Sequence, residues 1–203
     1  MNYVLLGFFS HTNESILGGI YLLFVHGIIS SGLFLCVGSL YQRFHTRNIH
    51  YYSGLIQNMP YFSFIFFILI LGNCSFPGTA SFPAELLIVL GLIKSSFLIT
   101  FFGIISGFFA TLFSFLTFVR IVFGVSKHNF ILKNKLNYVI CNDYVINNFK
   151  TIKMFFYLDL NKKELVILNI FGLFTILLGI YPATFLNLFI YKYGFLNLMP
   201  IVV

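Results

Sequence analysis

No tryptophan occurs among the 203 residues, only five side chains are acidic, and charged residues of either sign make up 8% of the chain. So little charge cannot coat the surface of a soluble domain. Cys36, Cys74 and Cys141 form no CxxC pair and share no metal-ligand spacing with the five histidines, which removes the usual signals for a disulfide framework or a zinc site. They read as small apolar packing residues. A phosphate loop, a dinucleotide glycine fingerprint and a recognisable catalytic triad are missing as well, so no cofactor or metal site is expected on this chain. The first apolar run lacks a basic leader and a small-residue cleavage site, so a cleavable signal peptide is not expected.

What is present is apolar. Hydrophobic residues account for 59% of the chain, mean hydropathy is +0.96, and phenylalanine alone occurs 29 times. This is the composition of an integral membrane protein. The twelve basic residues give a formal charge of +7, but most lie in two loops between apolar spans. They therefore mark membrane topology and not a nucleic-acid partner. The abundance of phenylalanine and tyrosine without tryptophan hints at an A+T-rich organellar gene.

The expected organisation is all-α: a single polytopic membrane domain. Residues 1–10 are too few to cross a hydrocarbon core that needs roughly 20 helical residues, so they form a partial helix. A full helix is expected over 16–41, a polar loop over 42–59, a broken helix over 60–93, a helix over 97–125, a basic connector over 126–163, a last helix over 164–182 and an apolar tail over 183–203. The stretch 60–93 is the informative one. As one helix it would reach about 50 Å, too long for one span and too short for two. A single crossing by two half-helices, 60–75 and 82–93, puts both basic loops on one side, as the positive-inside tendency prefers.

Pro77, Gly78 and Pro83 break the helical bonding of that stretch, and Glu85 follows where a new half-helix begins, near its positive dipole end. Exposed backbone at that depth is tolerated only inside protein or against a wet cavity. The break thus offers hydration and dipoles to a membrane carboxylate, and an acid so placed is a candidate proton carrier. His26 lies about 15 Å inside its own helix with Ser30 one turn further on the same face, a possible proton relay. A satisfied polar histidine is an equal alternative on these residues alone. Lys94 and Arg120 read as interfacial anchors, and Lys163 with Glu164 as a helix-start charge pair.

The stretches VHGIISSGLFLCVGSLYQRFHTR, SFPGTASFPAELLIVLG, VRIVFG and DLNKKELVILNIFGLFTILLGIYP closely resemble the chain 4 family of NADH:ubiquinone oxidoreductase, respiratory complex I. The resemblance is to the C-terminal part of that antiporter-like family, built from inverted repeats that each carry a broken helix. It implies that Glu85 is the glutamate of the second broken helix, toward the proton exit, and that His26 links two half-channels. Pro83 and Ala84 depart from the family pattern, which has an aliphatic residue and a glycine before the glutamate.

The resemblance also implies a proton-translocating role in the mitochondrial inner membrane, with NADH, FMN, iron-sulfur clusters and ubiquinone held elsewhere in the complex. Expected partners are a separate polypeptide carrying the N-terminal half of the subunit, other antiporter-like and accessory subunits, and membrane lipids. Two rival readings are a fragment of a multi-subunit cation/proton antiporter and a scaffold that moves no protons.

Overall fold

The computed structural model describes residues 2–124 and 159–193, with side chains described through residue 187, apart from Tyr51. The described residues form eight α-helices and one 3-10 turn, and no strand. They are α1 (Asn2–Phe9), α2 (Asn13–Phe44), the turn Ile49–Tyr51, α3 (Leu55–Asn58), α4 (Pro60–Asn73), α5 (Ser81–Ser95), α6 (Phe97–Val122), α7 (Lys162–Ile180) and α8 (Pro182–Tyr193). Of these, α2, α6 and α7 are each long and apolar enough to cross a membrane. The protein is a polytopic helix bundle with one discontinuous helix.

The 32-residue α2 is its axis, about 48 Å long. Leu69 packs at Gly32 and Ile29 at Gly72, whereas Ala84 and Ile88 meet Gly18, and Gly91 meets Thr12 and Ser15. Contacts therefore move steadily toward the start of α2 as α4 gives way to α5. The two short helices lie end to end, antiparallel to α2, and together cover its length. Each has its own buried cluster. Phe62 and Leu69 of α4 pack with Cys36, Phe118 and Leu168. Ala84, Ile88 and Leu92 of α5 pack with Val4, Tyr21 and Val25.

The sequence-derived boundaries shift at several points. Helix α2 begins three residues before position 16 and runs to Phe44, where His45 takes a left-handed conformation (φ 53°) and ends it. The loop 42–59 holds a 3-10 turn and α3, stapled to α6 by the Gly54 N–H donating to Phe123 O at 3.2 Å. The region expected to be a tail starts as helix α8, with Pro182 as its first residue. Most of the basic connector, 126–163, lies outside the described residues.

Charge closes the bundle at both ends. Near the start of α2, Lys94 Nζ is 2.5 Å from Glu14 Oε1. At the other end Arg43 meets Glu164 through its two terminal guanidinium nitrogens, at 2.7 and 3.5 Å, and also donates to Asp159 O at 3.2 Å. Glu164 is therefore committed to Arg43 and to the Asn161 N–H, not to the neighbouring Lys163 expected from the sequence. The Asp159 carboxylate accepts the N–H groups of Tyr61 (2.8 Å) and Phe62 (3.3 Å), capping α4. A carboxylate there satisfies orphan donors and sits at the favourable end of the helix dipole.

Candidate functional site: the helix break and its cleft

Helix α4 stops by a six-residue motif. The Phe76 N–H returns to Leu71 O at 3.1 Å and the Ser75 N–H to Gly72 O at 3.3 Å, with Ser75 itself left-handed (φ 52°). Pro77 follows with no N–H to give, and Gly78 takes φ 97°, a region open to glycine. Thr79 folds back on Phe76 O through its N–H (3.0 Å) and its hydroxyl (2.7 Å). Ser81 donates its hydroxyl to Gly72 O across the gap. The Ala80 N–H crosses to Thr175 O of α7 at 2.9 Å, and Gly179 of α7 lies against Gly78 and Thr79. Backbone opened at this depth is thus repaid from both sides of the break and from a neighbouring helix.

Helix α5 starts at Ser81, so Pro83 sits in its first turn, where its missing N–H costs nothing. Glu85 is consequently the fifth residue of α5, one residue further from the dipole end than a half-helix starting at 82 would place it. It is partly buried and opens on a cleft of about 160 Å³ that also receives His26 of α2. Tyr3, Asn73, Ser81 and Thr111 supply the other polar side chains of its wall. Such a volume admits a few waters, and the lining gives them partners. The buried Ser75 hydroxyl has no hydrogen-bond partner among the described residues.

The sequence-derived candidates separate here. Glu85 and His26 share the cleft, although they are 59 positions apart in the chain. Pro77 and Gly78 are exposed in the break and shape it without lining the cleft. Ser30 is not among the lining residues, and its hydroxyl turns back to Gly27 O of its own helix at 3.3 Å. Sequence reasoning missed Tyr3, Asn73 and Thr111. Asn73 could have been suspected as a polar residue at the end of an apolar run, but one tyrosine among twelve carries no such signal. Among the described residues, no cluster of three histidine, cysteine or acidic side chains could hold a metal.

An all-helical bundle with three membrane-length apolar helices and one broken helix defines a polytopic membrane subunit. The sequence profile of the NADH:quinone oxidoreductase/Mrp antiporter transmembrane family matches residues 1–114, and the chain belongs to that family. Chain 4 of NADH-ubiquinone oxidoreductase from Marchantia polymorpha is 38% identical over 187 residues, which cover 92% of this chain and 33% of that protein. Its counterpart from Acanthamoeba castellanii is also 38% identical, over 93% of this chain and 33% of the relative. A chain of respiratory complex I from Thermus thermophilus superposes with a TM-score of 0.71 at 28% identity, covering 90% of this chain and 33% of that one. The chain thus spans about a third of the length of these relatives.

Proposed function

We propose that this chain is part of a proton-translocating, antiporter-like subunit in the membrane arm of respiratory complex I, in the mitochondrial inner membrane. The observation that carries the reading is the cleft at the helix break, where Glu85 and His26 converge from different helices. Glu85 takes up and releases a proton, with the break supplying polar groups in place of bulk solvent. His26 passes protons along the cleft, since imidazole can accept at one nitrogen and donate from the other. NADH oxidation and ubiquinone reduction, with FMN and iron-sulfur clusters, take place in other subunits.

The rest of such a subunit, carrying the other half-channel, packs against the part described here. Other antiporter-like and accessory subunits complete the surroundings. Lipid covers much of the phenylalanine-rich face of α6, where Phe101, Phe102, Phe108 and Phe113 are exposed. Both basic loops face the matrix.

Glu85→Gln in the assembled complex is the test, because it keeps size and hydrogen bonding but cannot titrate. Proton translocation per NADH oxidised should fall while the complex still assembles. Unchanged translocation by a fully assembled variant rejects the carrier role and leaves the scaffold reading. A sodium-driven activity without NADH would favour the antiporter alternative.

A further inference from the structure

Tyr3 is the one cleft residue that comes from α1, and its ring bridges to α6. Its hydroxyl donates to Gly103 O at 2.9 Å. Its hydroxyl oxygen is the atom nearest to where a β-carbon on Gly107 would stand, with ring carbons Cε2 and Cζ 3.0 Å from the same point, so the phenol reaches this position only because residue 107 has no side chain. Glu85 of α5 and His26 of α2 line the same cleft. Glu85, His26 and Tyr3 therefore face one small space from three helices.

A phenol has one proton to give and lone pairs to accept with. The proton of Tyr3 is committed to Gly103 O, and no described group donates to its oxygen. What Tyr3 presents to the cleft is thus an acceptor. We infer that Tyr3 is a positioning residue for proton transfer: its oxygen anchors a water between Glu85 and His26. This rests on the proton-carrier reading of Glu85.

The step balances with one water. The Glu85 carboxyl O–H breaks as its proton bonds to the water oxygen. A different water O–H breaks as its proton bonds to the open nitrogen of His26. Water is regenerated, Glu85 is left as carboxylate and His26 as imidazolium. The third contact, from the water to Tyr3 O, leaves the oxygen lone pair pointed at Glu85 and one hydrogen at His26. Without that acceptor the water is free to turn its hydrogens toward the carboxyl, an unproductive orientation.

Tyr3→Phe keeps the ring against Gly107 and deletes only the oxygen. In the assembled complex, reconstituted in vesicles, the fall caused by Glu85→Gln defines the share of proton translocation that passes this site. Tyr3→Phe should remove most of that share at unchanged assembly, because an unpositioned water slows the transfer on the order of tenfold. It should also enlarge the kinetic effect of replacing H2O by D2O on translocation, which a packing defect would not do. Gly107→Ala places a methyl against the hydroxyl oxygen and the ring edge, and should likewise lower translocation by moving an intact hydroxyl out of place. Normal translocation by Tyr3→Phe, alongside a loss in Glu85→Gln, overturns the inference. Should Tyr3→Phe fail to assemble, normal translocation by Gly107→Ala overturns it instead. Normal translocation by Glu85→Gln would reject the underlying carrier reading, a separate outcome.

Discussion

Glu85 on α5 and His26 on α2 line the same cleft beside the break between α4 and α5. The carboxylate is on the discontinuous helix and the imidazole on the long continuous one. A shift of the break would therefore change the separation of the pair while the backbone around His26 stays fixed. On the proposed carrier role, that asymmetry lets the acid exchange protons with more than one neighbour.

It also ranks the two residues. Glutamine at position 85 removes the charge-bearing group, whereas glutamine at 26 leaves a polar side chain whose place in the relay water can partly fill. Proton translocation should fall further in Glu85→Gln than in His26→Gln. Quenching of a pH-sensitive dye in vesicles carrying each variant measures both, and an equal or larger loss at His26 overturns the ranking.

Arg43 joins α2 to α7 and to Asp159, the residue that caps α4. Replacing it by alanine leaves Glu164 without its guanidinium in a partly desolvated position. The side chains are 16% and 21% exposed, which limits the expected cost to about 2 kcal/mol. Arg43→Lys should recover only part of it, because an ammonium cannot hold both carboxylate oxygens and the Asp159 carbonyl in one plane. The thermal midpoint of the purified complex, or its yield on native gels, should follow the order wild type, lysine, alanine.

Gly179 tests the close passage of α7 behind the break. A β-carbon there would overlap the backbone of Gly78 and Thr79. Alanine should cost about 1–3 kcal/mol and disturb the bond from Ala80 N–H to Thr175 O. Gly38→Ala is the control, since nothing lies within 4 Å of its β-position. Helix propensity alone would make that change neutral or stabilising by up to about 1 kcal/mol. Equal thermal behaviour of the two variants would contradict the packing described at the break.

Orientation follows from the positive-inside tendency applied to the loop 42–59 and the connector 126–163. In sealed mitoplasts, trypsin added outside should leave the connector lysines uncut, and permeabilisation should expose them. Cleavage before permeabilisation would reverse the orientation.

Composition and local pattern are enough to give the class of the protein and the place of its break. Apolar runs of sufficient length can only be membrane helices, because lipid offers the backbone no hydrogen-bond partners. Pro77, which has no N–H to give, and Gly78, which accepts a positive φ, interrupt such a helix by local chemistry, whereas Pro83, expected to be part of the break, sits within the first turn of the helix that follows. Glu85 stood out for the same reason: a carboxylate is costly in an apolar run. The tertiary structure decided what each of those groups meets. Glu164 turns from Lys163 to Arg43 and Asp159 caps a helix 98 positions away, since partners across a fold depend on how helices are laid together. Ser30 has the right spacing from His26 along one helix, yet it spends its hydroxyl on its own backbone. Tyr3 has no distinguishing sequence signal and reaches the cleft because α1 packs beside α5 and residue 107 on α6 has no side chain. Local chemistry is written in neighbouring residues, whereas the cleft is made by the packing of helices distant in sequence.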